Sequence, residues 1–220
     1  MSDLVLTIGN KNYSSWSMRP WVAMRHAGIP FTEVVVPLDQ PGTAAAILAR
    51  SPSGRVPALL RGALTIWDSL AILEHLAESF PKARLWPAAG DARAVARSVS
   101  AEMHSGFAAL REQLPLNVRA SCPDVLPSAR AAADIARIVG VWNDCRARFG
   151  TDGPFLFGEF SIADAMYAPV VSRFVTYAVP LDGAAREYAD MMWALPAVVA
   201  WAEGARAEHF EIARYERRGP

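Results

Sequence analysis

The sequence predicts a small α/β domain followed by an all-α domain. In the first third, short β-branched or apolar runs alternate with helical patterns in the order strand, helix, strand, short helix, strand, strand, helix. From residue 91 onward nearly every segment has helical periodicity, and prolines flank the segment that joins the two parts. We therefore expect one domain over residues 1–79, a linker over 80–89 and a helical domain over 90–220.

The composition is typical of a compact globular protein. Of the 220 residues, 52% are hydrophobic, and 22 basic side chains balance 22 acidic ones. This balance provides no overall field for nucleic acid or an anionic membrane, and no apolar run is long enough to span a bilayer. Because the N-terminus lacks a basic and apolar leader, we expect a cytoplasmic protein. Two cysteines, Cys122 and Cys145, are too few for a disulfide framework or a zinc site, so no metal is expected.

The chain opens with a strand–helix–strand pattern. Residues 4–8 and 31–36 are apolar and β-branched, and the helical pattern between them ends at Gly28. Two strands joined by a helix at this spacing are parallel neighbours. Proline is tolerated in the first turn of a helix, so Pro20 predicts that this helix begins near residues 15–17.

A hairpin and a third helix follow. After a short helix around residues 43–49, apolar runs at 56–60 and 64–67 are joined by a short glycine-containing connection, which indicates antiparallel strands. Pro57 stands at the start of the first run, where it cannot donate to a strand ladder. A cis proline at such a place is usually a deliberate feature, and it would leave the backbone of Val56 available to a ligand.

The stretch between the first strand and the first helix is rich in serine. Residues 13–19 read Tyr-Ser-Ser-Trp-Ser-Met-Arg. A helix N-terminus has unpaired N–H groups and a partial positive charge, which favour an anion. Serine is also a good N-cap, so this stretch alone is compatible with either a cap or a binding site.

Three features resemble the thioredoxin-like domain of cytosolic glutathione S-transferases. They are the element order, the Val-Pro before the third strand and the acid-Ser pair that opens the third helix. The Ser-Ser-x-Ser-x-Arg run at 14–19 is similar to the Ser-Ser-Cys-Ser motif of their zeta class. The resemblance continues through the second domain. It implies the glutathione transferase fold, in which a thioredoxin-like N-terminal domain precedes an all-α C-terminal domain, and it implies a homodimer.

The resemblance also implies a site for glutathione, the co-substrate, across the C-terminal end of the first strand. Val56 would pair with the cysteinyl backbone of the tripeptide along the edge that a cis Pro57 leaves open. Ser69 would bind the γ-glutamyl carboxylate at a helix N-terminus, and Asp68 would lie near the γ-glutamyl ammonium. Two side chains are candidates for the glycyl carboxylate, and the sequence does not choose between them: Gln40 and Arg55.

Ser14 is the expected thiol-activating residue. A free thiol titrates near pH ~8.5, and lowering that pKa by about 2 requires roughly 2.7 kcal/mol of thiolate stabilisation. One hydrogen bond to a charged group contributes about 1.5–3 kcal/mol, so a single hydroxyl covers most of the requirement. Ser15 is the alternative donor, and Tyr13 ranks third because tyrosine has this role in other classes of the family.

The resemblance implies a transferase that adds the glutathione thiolate to a largely apolar electrophile. Trp16 and His104 are expected to line the electrophile cleft. Trp16 stands where the zeta motif has cysteine, which counts against the cis–trans isomerisation of maleylacetoacetate, the first alternative function. The second alternative is a non-catalytic scaffold or binding protein with the same fold.

In the second half, the pattern predicts one long helix over residues 92–114 and another over 128–149. Ser161 and Asp164 have the spacing of a capping box, and their Gly-x-x-Ser-Ile-Ala-Asp run resembles the start of the buried sixth helix of glutathione transferases. Asp164 is therefore expected to act in folding and not in chemistry. The charged tail from Arg214 is expected to fray.

Overall fold

The structure, a computed structural model, describes residues 3–216. Its sheet has four strands in the order β2-β1-β3-β4: β1 (Leu4–Ile8), β2 (Thr32–Val35), β3 (Ala58–Arg61) and β4 (Leu64–Trp67). β1 is parallel to β2 and antiparallel to β3, which pairs antiparallel with β4. The predicted parallel pair and the predicted hairpin are both confirmed.

Three helices accompany the sheet: α1 (Ser15–His26), α2 (Thr43–Leu48) and α3 (Ser69–Ser79). α1 ends as predicted, with Gly28 in the left-handed conformation at φ 65°. The predicted start of α1 near residues 15–17 is confirmed at Ser15, but the reason for it is wrong, because Pro20 lies beyond the first turn of the helix. Since proline has no N–H, the carbonyl of Trp16 receives no helical hydrogen bond from it.

The remaining helices form the all-α part: α4 (Gly90–Ser105), α5 (Ala108–Gln113), α6 (Ala129–Phe149), α7 (Ile162–Thr176), α8 (Gly183–Trp193) and α9 (Pro196–Ala207). α7 is central, and every residue in it except Val175 is buried. It packs against α1, α4 and α8, so one continuous hydrophobic core joins the sheet's helices to the all-α part. Sequence reasoning did not identify α8. Within residues 3–216, no helix combines the length and apolar character that crossing a membrane requires.

The predicted single helix over residues 92–114 is wrong, because the chain breaks between α4 and α5 at Gly106 and Phe107. A Cβ atom at Gly106 would lie 2.7 Å from the carbonyl oxygen of Glu102, and Phe107 has the left-handed φ of 59°. Arg111 then donates to the carbonyls of Met103 and His104 at the end of α4. These contacts fix the last turn of α4, from which His104 projects.

The capping box at the start of α7 is confirmed. The carboxylate of Asp164 accepts hydrogen bonds from the backbone and hydroxyl of Ser161 at 2.8 and 3.0 Å, from Leu156 N–H at 3.1 Å and from the Tyr188 hydroxyl at 3.2 Å. Asp164 is completely buried, and burial raises its pKa to about 6. Four donors on one buried carboxylate indicate a structural role.

The expected fraying of the tail is wrong for Arg214 to Glu216. Residues Ala213–Tyr215 form a turn of 3₁₀ helix, and the Tyr215 carbonyl accepts a hydrogen bond from Asn117 at 3.1 Å. The Tyr215 ring also contacts the ring of Tyr13. The rest of the predicted fraying tail, residues 217–220, lies outside the described residues.

Candidate functional site

A cleft of about 540 Å³ lies where α1, the loop before β3 and the N-terminus of α3 meet the end of α4. It collects most of the residues that the sequence singled out. The lining consists of Trp16, Ser53, Arg55, Val56, Pro57, Trp67, Asp68, Ser69 and His104. The Val56–Pro57 peptide bond is cis, and β3 begins immediately after it at Ala58.

Asp68 serves the cleft and the helix cap at once. It is the N-cap of α3 at φ 75°, and its Oδ1 accepts hydrogen bonds from Leu70 N–H at 2.9 Å and Ala71 N–H at 3.2 Å. Its Oδ2 lies 3.2 Å from Nε2 of His104. Because the cap occupies only one oxygen, the second carboxylate oxygen is directed at the cleft.

Ser69 is the first residue of α3 and is completely buried. Its hydroxyl oxygen accepts a hydrogen bond from Nη1 of Arg19 at 3.2 Å. Its own proton can therefore be given to an acceptor in the cleft. An anion at this helix N-terminus and an ammonium beside Asp68 would match the two charges of an α-amino-acid group.

Ser14 is the N-cap of α1 and is 6% exposed. Its hydroxyl donates to the hydroxyl oxygen of Ser17 at 2.8 Å, and Ser17 in turn accepts from Gly9 N–H at 3.1 Å. Ser15 is the first residue of α1. Ser14 and Ser15 are the two residues before Trp16, but neither belongs to the lining of the cleft.

Tyr13 is engaged away from the cleft. Its hydroxyl donates to the carboxylate of Glu216 and accepts from Nη2 of Arg119 at 2.9 Å. Burial, followed by the hydrogen bond to Glu216, raises the pKa of Tyr13 above its ordinary value. A hydroxyl held in this way by the C-terminal segment is poorly placed to donate to a ligand in the cleft.

Trp16 is surrounded by cationic or ionisable side chains. The guanidinium carbons of Arg19 and Arg111 lie 4.3 and 4.9 Å from the centre of its ring, and the His104 ring meets it edge-on at 5.2 Å. Burial lowers the pKa of His104; the charge of Asp68 opposes this effect, and those of Arg19 and Arg111 reinforce it. His104 is therefore largely neutral at pH 7, with its Nδ1 buried and without a hydrogen-bond partner among the described residues.

The two candidates for the glycyl carboxylate occupy different places. Arg55 is exposed and lines the cleft, and its backbone N–H donates to the Ser53 hydroxyl at 3.3 Å. Gln40 is also exposed, but its backbone donates to the Thr43 hydroxyl at 3.0 Å and it is not part of the lining.

Sequence reasoning missed Arg19 and Trp67 as residues of the site. Trp67 ends β4, is 47% exposed and lines the cleft beside Asp68. Arg19 lies in a stretch of α1, Ser17 to Met24, in which every residue is buried. A charged residue inside such a stretch was the available signal, because buried charges need a specific reason. Within residues 3–216, no group of three His, Cys, Asp or Glu side chains is arranged to hold a metal ion.

Comparison with known proteins agrees with this architecture. Residues 13–79 match the glutathione S-transferase N-terminal domain, and residues 127–204 match the glutathione S-transferase C-terminal domain. Maleylacetoacetate isomerase from Rattus norvegicus is 31% identical over 174 residues, which cover 77% of this chain and 78% of that protein.

Solved structures show the same fold. A glutathione transferase homologue from Burkholderia with bound glutathione has 25% identity and a TM-score of 0.68, over 93% of this chain and 99% of that one. A theta class glutathione S-transferase from Xanthomonas axonopodis pv. citri, also with glutathione bound, has 24% identity and a TM-score of 0.65, over 94% and 99% of the two chains. Together with the α/β sheet, the all-α part and the two matching domains, these findings show that the chain belongs to the glutathione S-transferase family.

Proposed function

We propose that this protein is a glutathione transferase that activates the glutathione thiol for attack on an electrophilic small molecule. The observation that carries the proposal is the arrangement at the N-terminus of α3, beside the cis Val56–Pro57 bond. There the Asp68 carboxylate can bind the ammonium of an α-amino-acid group, and the Ser69 hydroxyl at the helix end can bind its carboxylate. The relatives that contain bound glutathione support the same ligand.

In this proposal, different cleft residues bind different parts of the tripeptide. Ser69 and the N–H groups of α3 bind the γ-glutamyl carboxylate, and Asp68 binds the ammonium through Oδ2. The backbone of Val56 pairs with the cysteinyl residue. Arg55 is the better candidate for the glycyl carboxylate, because it lines the cleft while Gln40 does not.

Ser14 remains the proposed thiol donor. Its hydroxyl proton, which points to Ser17 at 2.8 Å, can rotate toward a sulfur atom because a hydroxyl hydrogen turns freely about its C–O bond. The N-terminus of α1 adds a partial positive charge that favours the thiolate. Ser15 remains the alternative, and Tyr13 is disfavoured by its bonds to Glu216 and Arg119.

We place the electrophile beside Trp16 and His104, which line the cleft and make none of the glutathione contacts proposed above. The homodimer, the cytoplasmic location and the boundary at residues 80–89 are further predictions of the family resemblance.

A glutathione-dependent cis–trans isomerase is the second candidate function. The similarity to the rat maleylacetoacetate isomerase and the serine run at residues 14–17 favour it. Trp16 counts against it, because an indole packed between Arg19 and His104 replaces the small thiol of the zeta motif.

The test is titration calorimetry with glutathione, followed by turnover assays on aryl halides, enones and a maleyl-type cis-alkene. Ser69→Ala should weaken glutathione binding by about tenfold, since it removes a hydrogen bond to a charged group. Ser98→Ala is the matched control, because Ser98 is exposed on α4 and donates to the Ala94 carbonyl of its own helix. Turnover of the cis-alkene alone would favour the isomerase, and no binding at millimolar glutathione would favour a non-catalytic protein.

A further inference from the structure

Arg19 is a buried cation directly beneath the cleft. Its side chain reaches two lining residues, because Nη1 donates to the Ser69 hydroxyl at 3.2 Å and the guanidinium carbon lies 4.3 Å from the centre of the Trp16 ring. The residue is only 1% exposed. Solvent therefore does little to stabilise its charge.

No carboxylate neutralises this charge within the described part of the chain. None lies within 4.0 Å of the Arg19 guanidinium, and its Nε has no hydrogen-bond partner there. Burial, followed by the positive charges of Arg111 and Arg173, holds the pKa of Arg19 well below its usual range, and Asp68 opposes this only at longer range. A buried cation without a counterion is costly to the folded protein, so its presence calls for a functional explanation.

We propose that Arg19 is the electrostatic anchor of the anion subsite at the N-terminus of α3, and that the γ-glutamyl carboxylate of glutathione supplies the negative charge that this cation lacks. The inference rests on the proposed glutathione function. Arg19 acts through Ser69: by donating to the hydroxyl oxygen, it leaves the hydroxyl proton for the incoming carboxylate. Arg19 is thus a positioning residue that adds a full charge to the partial charge of the helix end.

This role predicts opposite effects on stability and on binding. A residue that merely supports the fold should lower the melting temperature when it is replaced. Replacing an uncompensated buried cation with an apolar side chain of similar length should instead leave the melting temperature of the ligand-free protein unchanged or higher. The same change should weaken binding of the anionic ligand.

The experiment compares Arg19→Met with the wild-type protein, using glutathione and an analogue in which hydrogen replaces the γ-glutamyl α-carboxylate. We expect Arg19→Met to bind glutathione about tenfold more weakly or worse, and to bind the analogue within about twofold of wild type. When Ser69 is already alanine, Arg19→Met should weaken glutathione binding much less than it does in the wild-type protein, because both changes act on one contact. Arg25→Met is the matched control, since Arg25 is an exposed arginine of the same helix.

Equal glutathione affinity in Arg19→Met and wild type would overturn the proposal, as would an equal loss for both ligands. A fall in melting temperature with unchanged affinity would make Arg19 a structural residue. If Arg19→Met does not fold, Arg19→Lys and Arg19→Gln replace it, and only the lysine variant should retain affinity within a few-fold. If the wild-type protein itself binds no glutathione, the proposed function fails, and the carboxylate assignment fails with it.

Discussion

His104 Nε2 lies 3.2 Å from Asp68 Oδ2, so this contact connects the end of α4 to the N-terminus of α3 across the cleft. Asp68 uses its other oxygen to cap α3, which leaves Oδ2 as the oxygen that His104 and a ligand cation would share. In the proposed complex the γ-glutamyl ammonium approaches the same oxygen. The charge state of His104 should therefore affect glutathione binding.

We expect glutathione affinity to fall as the pH decreases below 6.5 and through the lowered pKa of His104, and the fall to be smaller in His104→Gln. Burial keeps the pKa of His104 below its ordinary 6.5, so the ring is neutral at pH 7 and becomes charged only in acid. Once charged, it competes with the ammonium for Asp68. Calorimetry between pH 5.5 and 8 measures the effect.

The exposed His209 provides the control substitution, His209→Gln. Parallel affinity profiles for wild type and His104→Gln would show that His104 and the ligand ammonium do not compete for Asp68.

The lowered pKa of His104 also has a consequence for stability. Because the unfolded chain takes up the proton first, the contribution of His104 to the free energy of unfolding is complete above pH 6.5 and is lost as the pH falls through its folded pKa.

Ser14→Ala should raise the apparent pKa of bound glutathione by about 1 to 2 pH units, the equivalent of one hydrogen bond to a charged group. It should also lower the free energy of unfolding by about 1 kcal/mol, because Ser14 caps α1. Glutathione affinity should stay within a few-fold. The ultraviolet absorbance of the thiolate, followed against pH, measures the change.

Ser15→Ala is the companion variant, because Ser15 is the adjacent serine and does not cap α1. An unchanged thiol pKa in Ser14→Ala, together with a raised one in Ser15→Ala, would transfer the role to Ser15.

Tyr13→Phe should leave the thiol pKa unchanged and destabilise the fold by about 1 kcal/mol. The hydroxyl of Tyr13 is bonded to Glu216 and Arg119, so its loss removes a contact with the C-terminal segment and none with the cleft. Thermal unfolding and the thiolate titration test the two halves of this prediction separately. A raised thiol pKa in Tyr13→Phe would identify Tyr13 as the donor.

Local sequence patterns were sufficient for the sheet, whereas the cleft was expected from the family resemblance. The apolar runs and Gly28 each encode their geometry within a few residues, so the parallel pair and the helix end were predictable, whereas the cis Val56–Pro57 bond was expected from the family resemblance. The residues that line the cleft were expected from the family resemblance, because no local pattern shows that the ends of these elements meet in one cleft.

The break between α4 and α5 and the contact of Arg19 were the features that the sequence did not predict. The helical spacing of Met103, Phe107 and Leu110 continues across the break after α4, so the periodicity gave no sign of the left-handed φ of Phe107 that interrupts the helix. The partner of Arg19 is 50 positions away along the chain. No local pattern encodes such a pairing.

Asp164→Ala should lower the free energy of unfolding by about 3 kcal/mol or more and leave glutathione affinity of the folded protein unchanged. The substitution leaves four buried donors, from Leu156, Ser161 and Tyr188, without an acceptor. Asp144→Ala is the matched control, because Asp144 is exposed and pairs with Arg148 at 2.9 Å; it should change stability by less than about 0.5 kcal/mol.

The pH dependence gives a second check on Asp164. Burial raises its pKa from 3.8 to about 6, so the folded state holds the proton more tightly than the unfolded state does. The contribution of Asp164 to the free energy of unfolding is therefore complete below pH 3.8 and declines as the pH rises toward about 6. This decline should be absent in Asp164→Ala. Denaturant titrations at a series of pH values measure it, and identical pH profiles for the two proteins would show that Asp164 does not titrate in this range.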